Sequence, residues 1–277
     1  MKTAEELFGV RGYGVIVTGG ASGIGLGYAE ALAANGARVT LCDLNPERVT
    51  SEVERLTGLG FEVRGAVVDV CDHAALDAAV DEAARVYGRL DVVFANAGID
   101  PGPGYLGAWV GDQRPRIEDG SLENYGDARW NRVIEVNLNG VFATLRAAAR
   151  HMKAQRSGRM IVTTSAAAER CEPAIGVAYM AAKAGAAHLV RNVALEMAAF
   201  GVTVNAIAPG MFVTNIGGGH LHDAGLQAEL GKAIPAHRVG FPSDMYGLAL
   251  FLASPASAYV TGQQIFVDGG LSLGQAD

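Results

Sequence analysis

The chain has 277 residues, half of them hydrophobic, with 37 glycines and a formal net charge of -7. That length suits one large α/β domain, and the acidic balance leaves no basic field for a nucleic acid partner. No run reaches the roughly 18 apolar residues of a membrane span, and the acidic first residues do not read as a secretory signal, so a cytoplasmic protein without a membrane partner is expected. Cys42, Cys71 and Cys171 lack CxxC spacing and are expected as reduced thiols, with no metal site.

Residues 14–18 are a β-branched run that stops at Gly19-Gly20, and Gly23-Ile24-Gly25 opens an alanine-rich helix to about residues 35–36. In this strand, glycine turn and helix, Gly19, Ser22, Gly23, Ile24 and Gly25 let the backbone approach a ligand closely. The exposed N–H groups of the helix start are then aimed at a pyrophosphate. A strand at 37–42 ends at Asp43. An acid there accepts hydrogen bonds from an adenosine ribose and repels a 2'-phosphate, which predicts NAD over NADP; equally, Asp43 could cap the helix that begins near Pro46. Neither Leu44 nor Asn45 offers a cation to a phosphate.

A helix at 47–57, a strand at 62–68 ending in Asp69-Val70, a helix at 74–87 and a strand at 90–95 complete a βαβαβαβ half. Right-handed crossovers then require a parallel sheet with ligands at the carboxyl ends of its strands. Asp69 and Asn96-Ala97-Gly98 fall at such ends, as ligand contacts or as turn and cap residues. Residues 99–125 form an irregular excursion, read as a pocket or subunit contact ahead of a passive surface loop. Within it Arg114 and Arg116 are read as solvated in preference to binding an anionic substrate.

A helix is expected from 128 to 152 with Asn137 in its apolar middle, serving either a structural hydrogen bond or a kink with bound water. The strand at 159–164 puts Ser165 at its carboxyl end. Tyr179 and Lys183, four apart in an alanine-rich segment, share a helix face, where an ammonium beside a phenol favours the phenolate. A sixth strand at 201–207 precedes Pro209-Gly210 and Thr214. Residues 211–238 read as a substrate lid whose His220 and His222 are solvated. A helix at 243–253 and a strand at 264–267 close the chain.

Together these stretches resemble the short-chain dehydrogenases/reductases over nearly the whole length. Residues 18–25 are similar to the family's TGxxxGxG, residues 96–98 to NAG and residues 179–183 to YxxxK, with Pro209-Gly210 and residues 267–270 similar to later markers. The resemblance implies a single domain over 1–277, Rossmann-type and doubly wound, with a seven-stranded parallel sheet, and commonly a homotetramer. It implies a catalytic tetrad of Asn137, Ser165, Tyr179 and Lys183, with Thr214 near the nicotinamide carboxamide. Cofactor contacts are expected from Gly19, Ser22, Gly23, Ile24, Gly25, Asp43, Asp69, Val70, Asn96, Ala97, Gly98, Pro209 and Gly210, as well as from Tyr179 and Lys183.

The implied activity is NAD-dependent interconversion of a secondary alcohol and a ketone, with Asn137 holding a water that links Lys183 to solvent. The alternatives are an NADPH-dependent 3-oxoacyl reductase and a non-catalytic NAD(H) sensor. Two departures stand out. The loop after Gly98 is longer than usual by roughly a dozen residues, and the interval from Ser165 to Tyr179 is about one residue long, which leaves Thr164 as a rival hydroxyl.

Overall fold

In the computed structural model, which describes residues 1–100, 102–107 and 113–274, seven parallel strands form one sheet in the order β3-β2-β1-β4-β5-β6-β7. The strands are β1 (Gly14–Thr18), β2 (Arg38–Asp43), β3 (Val63–Val67), β4 (Val92–Ala95), β5 (Gly158–Thr163), β6 (Val202–Pro209) and β7 (Gln264–Val267). The helices, in chain order, are α1 (Ala4–Phe8), α2 (Gly23–Ala34), α3 (Pro46–Gly58), α4 (His73–Tyr87), α5 (Asp127–Ile134), α6 (Gly140–Gln155), α7 (Val177–Met197), α8 (Ala224–Gly231) and α9 (Tyr246–Ala253). The short helix α1, absent from the sequence reading, is held by a capping box between Thr3 and Glu6.

Helices cover both faces of the sheet, so its strands read as continuous apolar runs. On β1, Val15 and Val17 join Val39, Leu41 and Phe94 in a core against α2, where Tyr28 and Leu32 are fully buried. Ile16 points to the opposite face with Val93, Met160 and Val204, under Leu76, Val80, Val141 and Val190 from α4, α6 and α7. This period-two division is what a strand buried on both sides produces. The order reverses between β1 and β4, whose registers pair Val17 with Phe94, and the crevice of a doubly wound sheet opens beyond that point.

Two expected boundaries change. The helix expected over 128–152 is interrupted by a π-helical segment, Glu135–Asn139, marked by a Gly140 N–H that reaches back five residues to the Glu135 carbonyl. The helix expected over 243–253 starts as a 3-10 turn, Pro242–Met245, before α9. Among the described residues no helix is long and apolar enough to cross a membrane.

Candidate active site

The glycine turn after β1 is built around positive φ angles, +63° at Gly19 and +54° at Gly23, which side chains seldom tolerate. A Cβ on Gly25 would stand 2.1 Å from the Gly19 carbonyl oxygen, and one on Gly23 would meet Thr214 Cγ2 at 3.3 Å. Ser22 takes the N-cap position of α2 without a side-chain capping bond, so the first N–H groups of this twelve-residue helix face the cavity uncapped.

Two carboxylates flank the cradle. Asp43 Oδ2 accepts from the Ala21 N–H at 3.2 Å and Oδ1 from the Asn45 N–H at 3.2 Å. The helix cap is Asn45 and not Asp43: Asn45 Oδ1 accepts from the Arg48 N–H at 2.8 Å, because Asn45 directly precedes the Pro46 that starts α3. Asp69 accepts from the Cys71 N–H at 2.9 Å, and that bond, with Arg132 3.8 Å away, holds its carboxyl below the usual range.

Asn96 binds three strands together. Its Nδ2 donates to the Thr18 and Gly19 carbonyls at 3.0 and 3.3 Å, and its Oδ1 accepts from the Thr163 hydroxyl at 2.9 Å. Thr18 Oγ1 accepts from the N–H groups of Asn96 and Ala97, which fixes the turn into Gly98. Asn137 is fully buried inside the π segment. Its Nδ2 donates to the Val133 and Ile99 carbonyls at 3.2 and 3.4 Å, and its Oδ1 accepts from the Ile99 N–H at 3.3 Å. The structural bond and the backbone distortion considered as alternatives therefore coexist. Asn139 lies on the same segment and donates to Glu135 at 2.6 Å. Val70 lies so close to Gly140 that a Cβ there would come within 2.7 Å of its Cγ2.

Ser165 lies two residues past β5, where it caps the 3-10 turn Ala166–Ala168 by accepting from the Ala167 N–H at 3.1 Å, and its hydroxyl is close enough to Tyr179 to lower that phenol. The rival hydroxyl is committed elsewhere: Thr164 Oγ1 donates to the Ile207 carbonyl at 3.1 Å. Lys183 is 3% exposed, donates to the Thr163 carbonyl at 2.8 Å, and places Nζ 5.5 Å from the centroid of the Tyr179 ring.

Burial pulls the Lys183 ammonium down to about 8. Burial also pushes the Tyr179 phenol up, with the Ser165 hydroxyl acting downward and the Asp100 charge acting upward. In the protein alone the net direction for Tyr179 is therefore upward, desolvation of the phenolate being the largest influence on it.

Past β6, the Gly210 N–H donates to the Val267 carbonyl at 3.0 Å. A Cβ on Gly210 would fall 2.6 Å from that of Asp268, whose carboxylate accepts from the N–H groups of Gly270 and Ser272. The late Asp-Gly-Gly marker therefore shapes the chain that supports Pro209 and Gly210.

Residues of the 99–125 excursion lie across the connection into α7. Gly104 N–H donates to the Ala174 carbonyl at 2.9 Å and Leu106 N–H to that of Pro173 at 3.1 Å, while Pro103 bridges Ile175. Arg114 pairs with Glu172 at 3.1 Å and donates to the Gly107 carbonyl, so its charge is used within this wall. Trp109 lies outside the described residues. His222 contacts Asn215 at 3.1 Å, and among the described residues no group of three His, Cys, Asp or Glu could hold a metal. All three cysteines are free; burial pushes Cys42 up to about 12 and Cys71 up to about 11.

Every residue advanced as a catalytic or cofactor candidate, from Gly19 to Thr214, lines one cavity of about 840 Å³. Arg48, Asp100, Arg132 and Ile175 line it too, without having been singled out from the sequence. Arg48 follows the Asx-Pro cap by one helical turn, and that spacing was the available signal.

A family model described as enoyl-(acyl carrier protein) reductase matches residues 19–272. The chain is 38% identical to the 3-oxoacyl-(acyl-carrier-protein) reductase of Chlamydia pneumoniae, over 93% of this chain and 96% of that protein. It is similar to a gluconate 5-dehydrogenase from Burkholderia cenocepacia J2315 in complex with NADP and tartrate, with a TM-score of 0.84, 35% identity, and 98% and 99% of the two chains covered. A 3-oxoacyl-(acyl-carrier protein) reductase with bound NAD from Brucella melitensis gives a TM-score of 0.82 and 32% identity, covering 98% and 97%. By its sheet order, its glycine turn and these likenesses, the chain belongs to the short-chain dehydrogenase/reductase family of oxidoreductases.

Proposed function

We propose that the chain interconverts a secondary alcohol and a ketone with NAD, using Tyr179 as general acid/base. The observation that carries this reading is the convergence of Ser165, Tyr179, Lys183 and Asn137 on the cavity that the glycine turn enters. The cradle fits a dinucleotide, since the open N–H groups of α2 suit a pyrophosphate and the glycines leave room for its close approach. The nicotinamide, when bound, supplies the acceptor or donor of a hydride.

Tyr179 takes the substrate hydroxyl proton during oxidation and returns it during reduction, while Ser165 holds the substrate oxygen. Lys183 sits beneath the phenol ring and holds positive charge close to a phenolate that burial disfavours. Among the described residues Asn137 Oδ1 takes only the Ile99 N–H, so a second lone pair is open to a water that connects Lys183 to solvent.

Asp43 supports NAD through its charge, its carboxylate being held at the rim by Ala21 and Asn45. Arg48, on the same cavity, favours the second reading, an NADPH-dependent 3-oxoacyl reductase, for which the likeness to such reductases is further support. Phe142 and Leu195, 47% and 83% exposed on α6 and α7, support assembly of subunits into a homotetramer through those helices. The test is a screen of secondary alcohols and ketones with NAD and NADP, followed at the absorbance of the reduced cofactor. Turnover with NAD, abolished in Tyr179→Phe, is expected; retention of wild-type turnover by that variant would sink the reading.

A further inference from the structure

The cavity's charges are unevenly placed. Its cations are Arg48, Arg132 and Lys183. Arg48 belongs to the α3 start beside Asp43 and Asn45, Arg132 lies against Asp69 and Cys71, and Lys183 is buried with its ammonium on the Thr163 carbonyl. At the Tyr179 end the lining supplies a carboxylate, Asp100, between the apolar Ile99 and Ile175. Two arginines of the neighbouring segments, Arg114 and Arg129, are absent from the lining and committed elsewhere. Arg114 pairs with Glu172, and Arg129 stacks 5.2 Å over the Tyr125 ring while donating to the Asp119 carbonyl.

Asp100 is held in place. Both backbone groups of the preceding Ile99 are bonded to the Asn137 side chain, and Asp100 Oδ1 accepts from the Gly102 N–H at 2.8 Å. Among the described residues Oδ2 makes no hydrogen bond, and it is an acceptor with no proton to offer in return. The carboxylate lines the same cavity as Tyr179, and its charge acts on that phenol.

Resting on the oxidoreductase reading above, we propose that Asp100 selects the substrate: a secondary alcohol or ketone carrying a hydrogen-bond donor, hydroxyl or ammonium, near the reacting carbon and no carboxylate there. A donor satisfies Oδ2 by a charge-assisted bond, and a carboxylate in its place meets a like charge that, among the described residues, no cation of the lining at that end offsets.

The experiment compares three substrates of one carbon skeleton: a vicinal diol, the matching 1,2-amino alcohol and the matching 2-hydroxycarboxylate. In the wild type, kcat/KM for the first two is expected to exceed that for the carboxylate by about tenfold or more, the size of one charge-assisted hydrogen bond. Asp100→Asn keeps an acceptor for Gly102 and is expected to narrow that ratio, most for the amino alcohol. Equal use of the carboxylate by the wild type, or a ratio that Asp100→Asn leaves unmoved, overturns the assignment of Asp100 while the redox activity stands.

The same three ligands are titrated calorimetrically into the protein with and without NADH. Binding that depends on Asp100 without turnover of any of them overturns the oxidoreductase reading and supports the pocket assignment; equal binding of all three overturns the pocket assignment.

Discussion

Gly98 occupies the point where a Cβ would stand 2.7 Å from Asn137 Oδ1 and 3.7 Å from Lys183 Nζ. Asn137 cannot yield cheaply, because its amide is bonded at Val133 and on both sides of Ile99. Gly98→Ala should therefore lower stability by about 1–3 kcal/mol, the usual cost of overpacking, and reduce kcat/KM by displacing the groups next to Tyr179. Denaturant midpoints and steady-state kinetics check both effects. A variant with wild-type stability and rate would mean that the contact is slack.

Tyr179→Phe removes the hydroxyl that Ser165 influences and keeps a ring above Lys183. Loss of general acid/base catalysis should cut kcat/KM by about 100- to 10,000-fold. NADH affinity, read by fluorescence titration, should change far less than the rate. A parallel collapse of affinity and rate would assign Tyr179 to binding instead of proton transfer.

The pH profile has a definite sign. Burial raises the Tyr179 phenol, and the Asp100 charge raises it further. Oxidation needs the phenolate, so kcat/KM for an alcohol should climb as pH rises through an alkaline limb. Asp100→Asn removes a neighbouring anion, stabilises the phenolate and should move that limb to lower pH. A limb that stays in place or moves upward would show that Asp100 does not act on Tyr179 in solution.

The glycine turn, the seven strands and the residues around Tyr179 were legible because each leaves a local mark: a β-branched run, a glycine where φ is positive, a hydroxyl at a strand end. The π segment was not, since one extra residue in a helical turn barely alters an apolar period; Asn137 in an apolar helix was the only trace. The cap of α3 was ambiguous between Asp43 and Asn45, two Asx residues two apart, and adjacency to Pro46 decided it. Asp100 was invisible as a site residue because only the folded sheet brings its loop to the cavity. Sequence spacing displays the ammonium beside Tyr179 and conceals the burial that raises the phenol in the protein alone.

Cofactor choice should turn on two opposed charges. Asp43→Asn still accepts from Ala21 but no longer repels a 2'-phosphate, and it should raise the ratio of NADP to NAD use by about tenfold, or ~1.4 kcal/mol. Arg48→Ala should lower the same ratio, since it removes a cation from that part of the lining. Measured kcat/KM with both cofactors decides it. A ratio unchanged in both variants would place the discrimination elsewhere.

Lys183 makes global stability depend on pH. Its ammonium is 3% exposed, donates to a neutral carbonyl, and is pulled by burial from 10.5 to about 8. A cation whose folded pKa lies below its unfolded value leaves the folded state with fewer bound protons between those two values. Stability should therefore rise with pH from about 8 toward 10.5, the penalty for burying the charge being in full force below about 8. The whole window is worth at most about 3.5 kcal/mol at ~1.4 kcal/mol per pKa unit. Denaturant unfolding of the wild type and Lys183→Met between pH 7 and 9.5 isolates this contribution. Methionine should compare most favourably at pH 7 and progressively less as the wild-type lysine loses its proton in the folded state. Parallel stability curves for the two proteins would show that Lys183 keeps an ordinary pKa and that its burial is relieved by solvent reaching Nζ.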